Sequence, residues 1–202
     1  QSIEWRREND IDQILSWDPT PEYRYEYPYH IGTTRDNGLF VILLPGRVDV
    51  KAASQTAESS EYFQKYLNMI LAEITLALKD RKDSGGIPVT QVVLIADFEG
   101  FSYTSMLSVA VFRLIKIFAS TFDANEPERL KIGYIINASR VFSLMLSLLK
   151  PVLAQKTLSK LTAVSSNRNT CKELLLEIIS EEELPILYGG TERNSLVNRF
   201  LN

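Results

Sequence analysis

Apolar and polar positions follow three rhythms along this chain, and each rhythm predicts an element. Across residues 54–82, Tyr62, Phe63, Tyr66, Leu67, Ile70, Leu71, Ile74 and Leu78 recur at steps of three and four, the spacing that lines one face of an α-helix. Short apolar runs at 39–44, 92–96 and 132–136 read as strands buried on both faces, and 161–164 is a further strand candidate. Asn37-Gly38 before the first run is a hairpin signal. Pro45-Gly46 and the Asp83-Ser84-Gly85-Gly86 turn with Pro88 punctuate the runs. Two more helices are expected, at about 104–122 and 172–179. Near the start, residues 3–17 predict one short amphipathic helix stopped by Asp18-Pro19 and Pro21. Tyr23, Tyr25, Tyr27 and Tyr29 then alternate at period two and predict an extended segment with one aromatic face. Strands alternating with helices predict an α/β fold, a sheet of about five strands flanked by helices.

One element departs from the amphipathic rule. Residues 141–149, VFSLMLSLL, carry apolar groups on every side, whereas a surface helix confines them to a stripe about 100° wide. Only Ser143 and Ser147 are polar, one helical step apart, and a serine hydroxyl can bond back to its own helix. Either this helix is buried all round, or one side faces something other than water. Arg140, Lys150, Lys156 and Lys160 flank it. They are either ordinary solvated charges or contacts to an anionic leaflet, worth about 1 kcal/mol each.

Composition narrows the class. A chain of 202 residues, 45% hydrophobic, can close one sizeable core. A net charge of −3 provides no basic field, so no nucleic acid partner is expected. Cys171 is the single cysteine; an intrachain disulfide is impossible, and a reducing, cytoplasmic setting is the expectation. One cysteine and one histidine exclude a conventional zinc site, and no metal or cofactor is expected. The opening residues lack the apolar core of a secretory signal, and the longest apolar run falls short of the roughly 20 residues that cross a bilayer. Gly100-Phe101-Ser102-Tyr103-Thr104 sits between a strand and a helix, as a hydrolase nucleophile does, but lacks the second glycine, and His30 precedes it. Nucleotide-binding glycine motifs are missing too, and Glu181-Glu182-Glu183 reads as a solvated helix end. The chain is expected not to be an enzyme.

Five segments, in order, carry a resemblance: Pro127-Glu128-Arg129-Leu130, Tyr134-Ile135-Ile136-Asn137-Ala138, Leu149-Lys150-Pro151-Val152-Leu153, Thr157-Leu158-Ser159-Lys160 and Leu184-Pro185-Ile186-Leu187-Tyr188-Gly189-Gly190-Thr191. Together they resemble CRAL-TRIO lipid-binding domains, and the opening Trp5-Arg6-Arg7-Glu8-Asn9-Asp10-Ile11-Asp12 is similar to that of animal members. The likeness covers nearly the whole chain and is weakest over about 47–91. It implies a lipid pocket covered by a mobile gate helix, with Phe142, Leu144, Met145, Leu146, Leu148 and Leu149 as gate and pocket residues. In the fungal phosphatidylinositol/phosphatidylcholine exchange proteins of this family, the inositol site matches Arg6, Arg7, Glu128, Thr157 and Lys160 here, Arg7 being a conservative change. The strand hydroxyls that bind phosphatidylcholine are replaced by Val92 and Leu94, so the implied second ligand is a more hydrophobic lipid, such as a tocopherol-, squalene- or retinoid-like molecule.

The resemblance also implies an organisation: residues 1–18 as the remnant of an N-terminal helical region, 19–192 as the lipid-binding domain and 193–202 as a tail, in a domain trimmed from a longer protein. The expected function is non-enzymatic binding and transfer or presentation of a phospholipid or other hydrophobic lipid, with transient contact to a membrane surface. The alternative is a lipid-regulated interaction module in signalling or trafficking, with an unidentified protein partner.

Overall fold

The computed structural model describes residues 2–11, 13–126, 128–138, 140–164 and 167–201. At its centre five strands lie side by side in chain order: β1 (His30–Thr33), β2 (Leu39–Leu43), β3 (Val92–Asp97), β4 (Leu130–Ile136) and β5 (Leu161–Ala163). Asn37 takes φ +62° in the turn that lays β1 antiparallel on β2, with Ile31 opposite Val41; a short polar side chain tolerates that left-handed backbone. The remaining pairings are parallel, and every parallel step needs a crossover. The first crossover contains α3 (Val50–Ala53) and α4 (Ala57–Leu78), the second α5 (Tyr103–Leu107) and α6 (Val109–Asn125), and the third α7 (Arg140–Leu149) and α8 (Gln155–Ser159). Parallel strands stepping in one direction take crossovers of one hand, and α3, α4, α6 and α7 accordingly share one cluster on one face. The other face is left to α9 (Arg168–Ile178) and to short 3-10 turns near the C-terminal end.

The pleat sorts the strand residues accordingly. Leu39, Val41, Val92, Ala96 and Ile135 turn toward the crossover helices, while Phe40, Ile42, Val93, Ile95 and Ile136 turn toward α9. The α9 side is closed, with Leu175, Ile179, Leu184 and Val197 at 0% exposure. On the crossover side, α4 starts with a reciprocal cap in which the Thr56 and Ser59 side chains each accept the other's backbone N–H at 3.0 Å.

Three expectations are corrected. The tyrosine segment is not extended: Tyr23 to Glu26 belong to a helix, α2 (Pro21–Glu26). Thr20 Oγ1 accepts from Tyr23 N at 3.2 Å and Pro21 opens the helix. That pairing of an N-cap with proline at the first position outweighs the period-two alternation. The helical turn stacks Tyr23 on Tyr27 at 4.8 Å and leaves Tyr25 exposed. The single helix expected over 3–17 is α1 (Ser2–Glu8) followed by a 3-10 turn, Ile14–Ser16; Asp10 at φ +48° breaks it, and the bend brings Ile11 and Ile14 into the core. The helix expected over 104–122 is divided at Ser108, whose extended backbone and side chain cap α6, accepting from Val111 N at 3.4 Å. A serine that bonds the backbone in this way competes with continued helix. Ser102 caps α5 in the same manner, accepting from Ser105 N at 3.1 Å.

Candidate functional site

The crossover face is hollow. Between the sheet and its helices lies a cavity of about 280 Å³. Val41, Val92, Leu94, Ala96 and Ile135 form its floor, Ile70 and Ile74 of α4 and Leu114 and Phe118 of α6 its walls, and Phe142, Met145, Leu146 and Leu149 of α7 its roof. Small residues on the strands help to open it. Ala96 is one; Gly133 is another, and a Cβ there would come within 2.6 Å of Leu161 Cδ2.

The roof answers the question left by the apolar helix. Phe142, Met145 and Leu149 are buried, and Phe142 stacks on Phe98 at 4.8 Å. Leu144 and Leu148 point the other way and are 46% and 47% exposed. So the helix is not buried all round; its outer side presents leucines to the surroundings. Ser147 satisfies its hydroxyl by donating to Ser143 O at 2.9 Å. Beside the roof, α5 lies against α7, and Leu107 and Val109 at the α5–α6 junction are among the most exposed apolar side chains. No helix among the described residues is long and apolar enough to cross a membrane.

Both ends of the roof are fastened. At its entry Asn137, at φ +55°, donates from Nδ2 to Asp97 Oδ1 at 2.8 Å. The Asp97 side chain is fully buried and also accepts from Arg47 Nε at 2.6 Å, Tyr188 OH at 3.0 Å and Glu99 N at 2.9 Å. A buried carboxylate is tolerable only when so completely partnered. Burial, reinforced by the Asp97 charge, pushes the Tyr188 hydroxyl well above its ordinary pKa. At the exit, Asp123 of α6 accepts from Ala154 N at 2.8 Å and from the Thr157 hydroxyl at 2.5 Å.

Three polar residues border the otherwise apolar cavity. Glu126, Arg129 and Thr157 line it, with Arg129 Nε donating to Glu126 Oε2 at 2.9 Å. Close by, exposed Glu128 at φ +67° pairs with Lys156, and with Lys160 at 3.8 Å. The Lys156 bond, with the Lys160 charge behind it, holds the Glu128 carboxyl below its usual range. Lys160 Nζ also donates to Leu130 O at 2.5 Å. Glu128, Thr157 and Lys160 are thus gathered together. Arg6 and Arg7 lie on α1, which rests on α6, and take no part in that ion-pair cluster. Asp97, Asp123 and Glu126 escaped the reading of the sequence. Only Asp97, closing a buried strand before a glycine turn, offered a local signal.

A family model described as the CRAL/TRIO domain matches residues 23–190. A curated relative, CRAL-TRIO domain-containing protein T23G5.2 of Caenorhabditis elegans, is 24% identical over 193 residues, covering 94% of this chain and 26% of the relative. The chain therefore spans about a quarter of that protein's length. Among solved structures, the crystal structure of Sfh5 superposes with a TM-score of 0.72 at 17% identity, covering 96% of this chain and 67% of the other. At that identity the likeness shows a shared fold.

Proposed function

We propose that this chain, which belongs to the CRAL/TRIO domain family, binds a lipid in the cavity under α7 and carries or presents it to membranes without catalysing a reaction. The observation that carries this reading is the size and lining of the cavity. At about 24 cal/mol per Å³, leaving a hollow of about 280 Å³ unfilled costs about 7 kcal/mol, comparable to the net stability of a whole domain. An apolar guest offsets that cost, and the volume is close to the lower bound of ordinary ligand pockets.

Each methylene of a lipid chain is worth about 0.8 kcal/mol on leaving water, so release into water is prohibitive. Direct passage between protein and bilayer leaves the apolar terms nearly balanced, and the barrier becomes the motion of the lid. The outward Leu144 and Leu148 suit α7 to lie on the acyl boundary, as interfacial helices do, and Lys150 and Lys156 border it.

For the headgroup, phosphatidylinositol fits the cluster of Glu128, Thr157 and Lys160. Lys160 offers a cation to phosphate, Glu128 accepts from ring hydroxyls, and Thr157 supplies a hydroxyl at the cavity wall. Arg6 and Arg7, on α1 and outside this ion-pair cluster, are proposed as further phosphate contacts. Val92 and Leu94 give the floor no donors for a choline phosphate, so the second ligand is a more hydrophobic lipid. The test is transfer of phosphatidylinositol between vesicles by the Lys160→Ala, Glu128→Ala double variant. Loss of at least about tenfold in rate is expected from removing charge-assisted bonds; transfer as fast as the parent's refutes the headgroup assignment.

A further inference from the structure

The exit of the lid is held by groups that the proposed headgroup site also needs. Asp123 uses one carboxylate oxygen on the backbone N–H of Ala154, which caps α8, and the other on the hydroxyl of Thr157, inside α8. On the same short helix, Lys156 pairs with Glu128, and Lys160 at its C-cap does the same. Just beyond, Lys160 O accepts from Gly133 N at 2.9 Å, so the chain is fixed to the sheet from that point on. Between the Asn137–Asp97 bond and that point, α7 and α8 are held to the rest of the fold by the Asp123 and Glu128 contacts. Of these contacts, the one from Asp123 reaches Thr157, which lines the cavity. Thr157 has a single O–H to donate. A phosphate or ring oxygen that takes this proton removes one leg of the Asp123 contact.

We propose that Asp123 is a positioning residue, a clasp that keeps the α7–α8 segment closed and that a lipid headgroup loosens by competing for Thr157. This rests on the lipid-carrying reading above and adds the link between headgroup capture and lid release. A hydrogen bond to a charged acceptor shifts an equilibrium by roughly ten- to a hundredfold, so losing the clasp makes the open lid at least about tenfold more populated. A ligand shifts the lid only through what it does differently in the two states, and the shared Thr157 hydroxyl supplies that difference.

Two measurements on Asp123→Ala, Thr157→Val and Thr157→Ser test it. The first, made without lipid, is amide hydrogen exchange. Asp123→Ala is expected to speed exchange across residues 142–159 about tenfold or more while leaving α4 and α9 unchanged, Thr157→Val to do so less, and Thr157→Ser to behave as the parent. The second is binding and transfer of phosphatidylinositol from vesicles. Asp123→Ala is expected to exchange lipid faster at unchanged or tighter affinity; a residue that only supports the fold would weaken affinity instead. Unaltered exchange over 142–159, an equal rise in α9, or slower transfer at weaker affinity overturns the clasp. Should the parent transfer no lipid, the carrier reading fails while the exchange data still decide the clasp. Should Asp123→Ala not fold, Asp123→Asn, which retains one acceptor oxygen, is expected to give an intermediate rise over 142–159, and no rise there counts against the proposal.

Discussion

On the side of the sheet turned to α9, Phe40, Ile95 and Ile136 are sealed under Leu175, Ile179 and Leu184 with no exposure above 0%. On the side turned to the crossovers, neighbouring residues of the same strands, Val41, Leu94 and Ala96, border about 280 Å³ of apolar space. Both sides are built of apolar residues, so apolar character alone does not decide which core is filled. Side-chain size contributes to the difference. Alanine and glycine on β3 and β4 lower the floor, and α4, α6 and α7 meet over it through large side chains at its edges. Under the proposed carrier function the hollow side needs a removable cover, and α7 has an apolar buried side, Phe142, Met145 and Leu149, and an apolar exposed one, Leu144 and Leu148.

The comparison breaks most visibly under truncation. Leu175→Ala in the filled core is expected to cost about 2–5 kcal/mol, whereas Leu94→Ala, which already borders open space, is expected to cost about 1 kcal/mol or less. Thermal unfolding checks this, with Leu175→Ala melting roughly 5–15 °C below the parent; equal losses would mean that the two faces are packed alike. Enlargement gives the converse. Val93→Trp in the filled core is expected to lose about 1–3 kcal/mol or more to overpacking. Leu94→Trp is expected to keep its stability and lose at least about tenfold in lipid uptake, since the guest's volume is taken.

The outer side of the lid gives a smaller effect. Leu144→Ser with Leu148→Ser is expected to leave stability within about 0.5 kcal/mol, as for other surface positions. Vesicle association should fall by about tenfold, since each leucine loses part of its roughly 1.5–3 kcal/mol of burial in the acyl region; co-sedimentation with vesicles measures it. The smallest effect concerns pH. His30 sits on β1 beside Phe40, ring centres 5.5 Å apart, and burial lowers its pKa. Below the ordinary value of about 6.5 the unfolded chain takes up the proton more readily. His30 therefore contributes stability that is complete above that value and is lost as pH falls through it toward the folded-state pKa. Urea midpoints at about pH 7 and about pH 5.5 are expected to differ in the parent and to draw together in His30→Gln.

Where the chain repeats a strong period, its elements are legible in the sequence: α4 with its three- and four-residue steps, β3 and β4 as apolar runs, and the Asn37 turn each follow from local rules. The tyrosine segment misled because two local signals conflicted, and Thr20-Pro21 prevailed over the alternation. Ser108 divided a helix because a cap is a choice between two bonding patterns that composition does not distinguish. For α7 the difficulty was chemical. Phe142, Met145 and Leu149 differ little in character from Leu144 and Leu148, so which side faces the cavity is decided only by the sheet beneath. Spacing placed Thr157 and Lys160 on one turn, but the contacts with Asp123 and Glu128 join segments far apart in the chain. No periodicity encodes such contacts.

Native mass spectrometry of the protein purified under gentle conditions, followed by lipid extraction, addresses the hollow core most directly. One lipid molecule retained per chain is predicted for the parent, and none for Leu94→Trp. A bare chain in both, with no uptake after incubation with vesicles containing phosphatidylinositol, would contradict it.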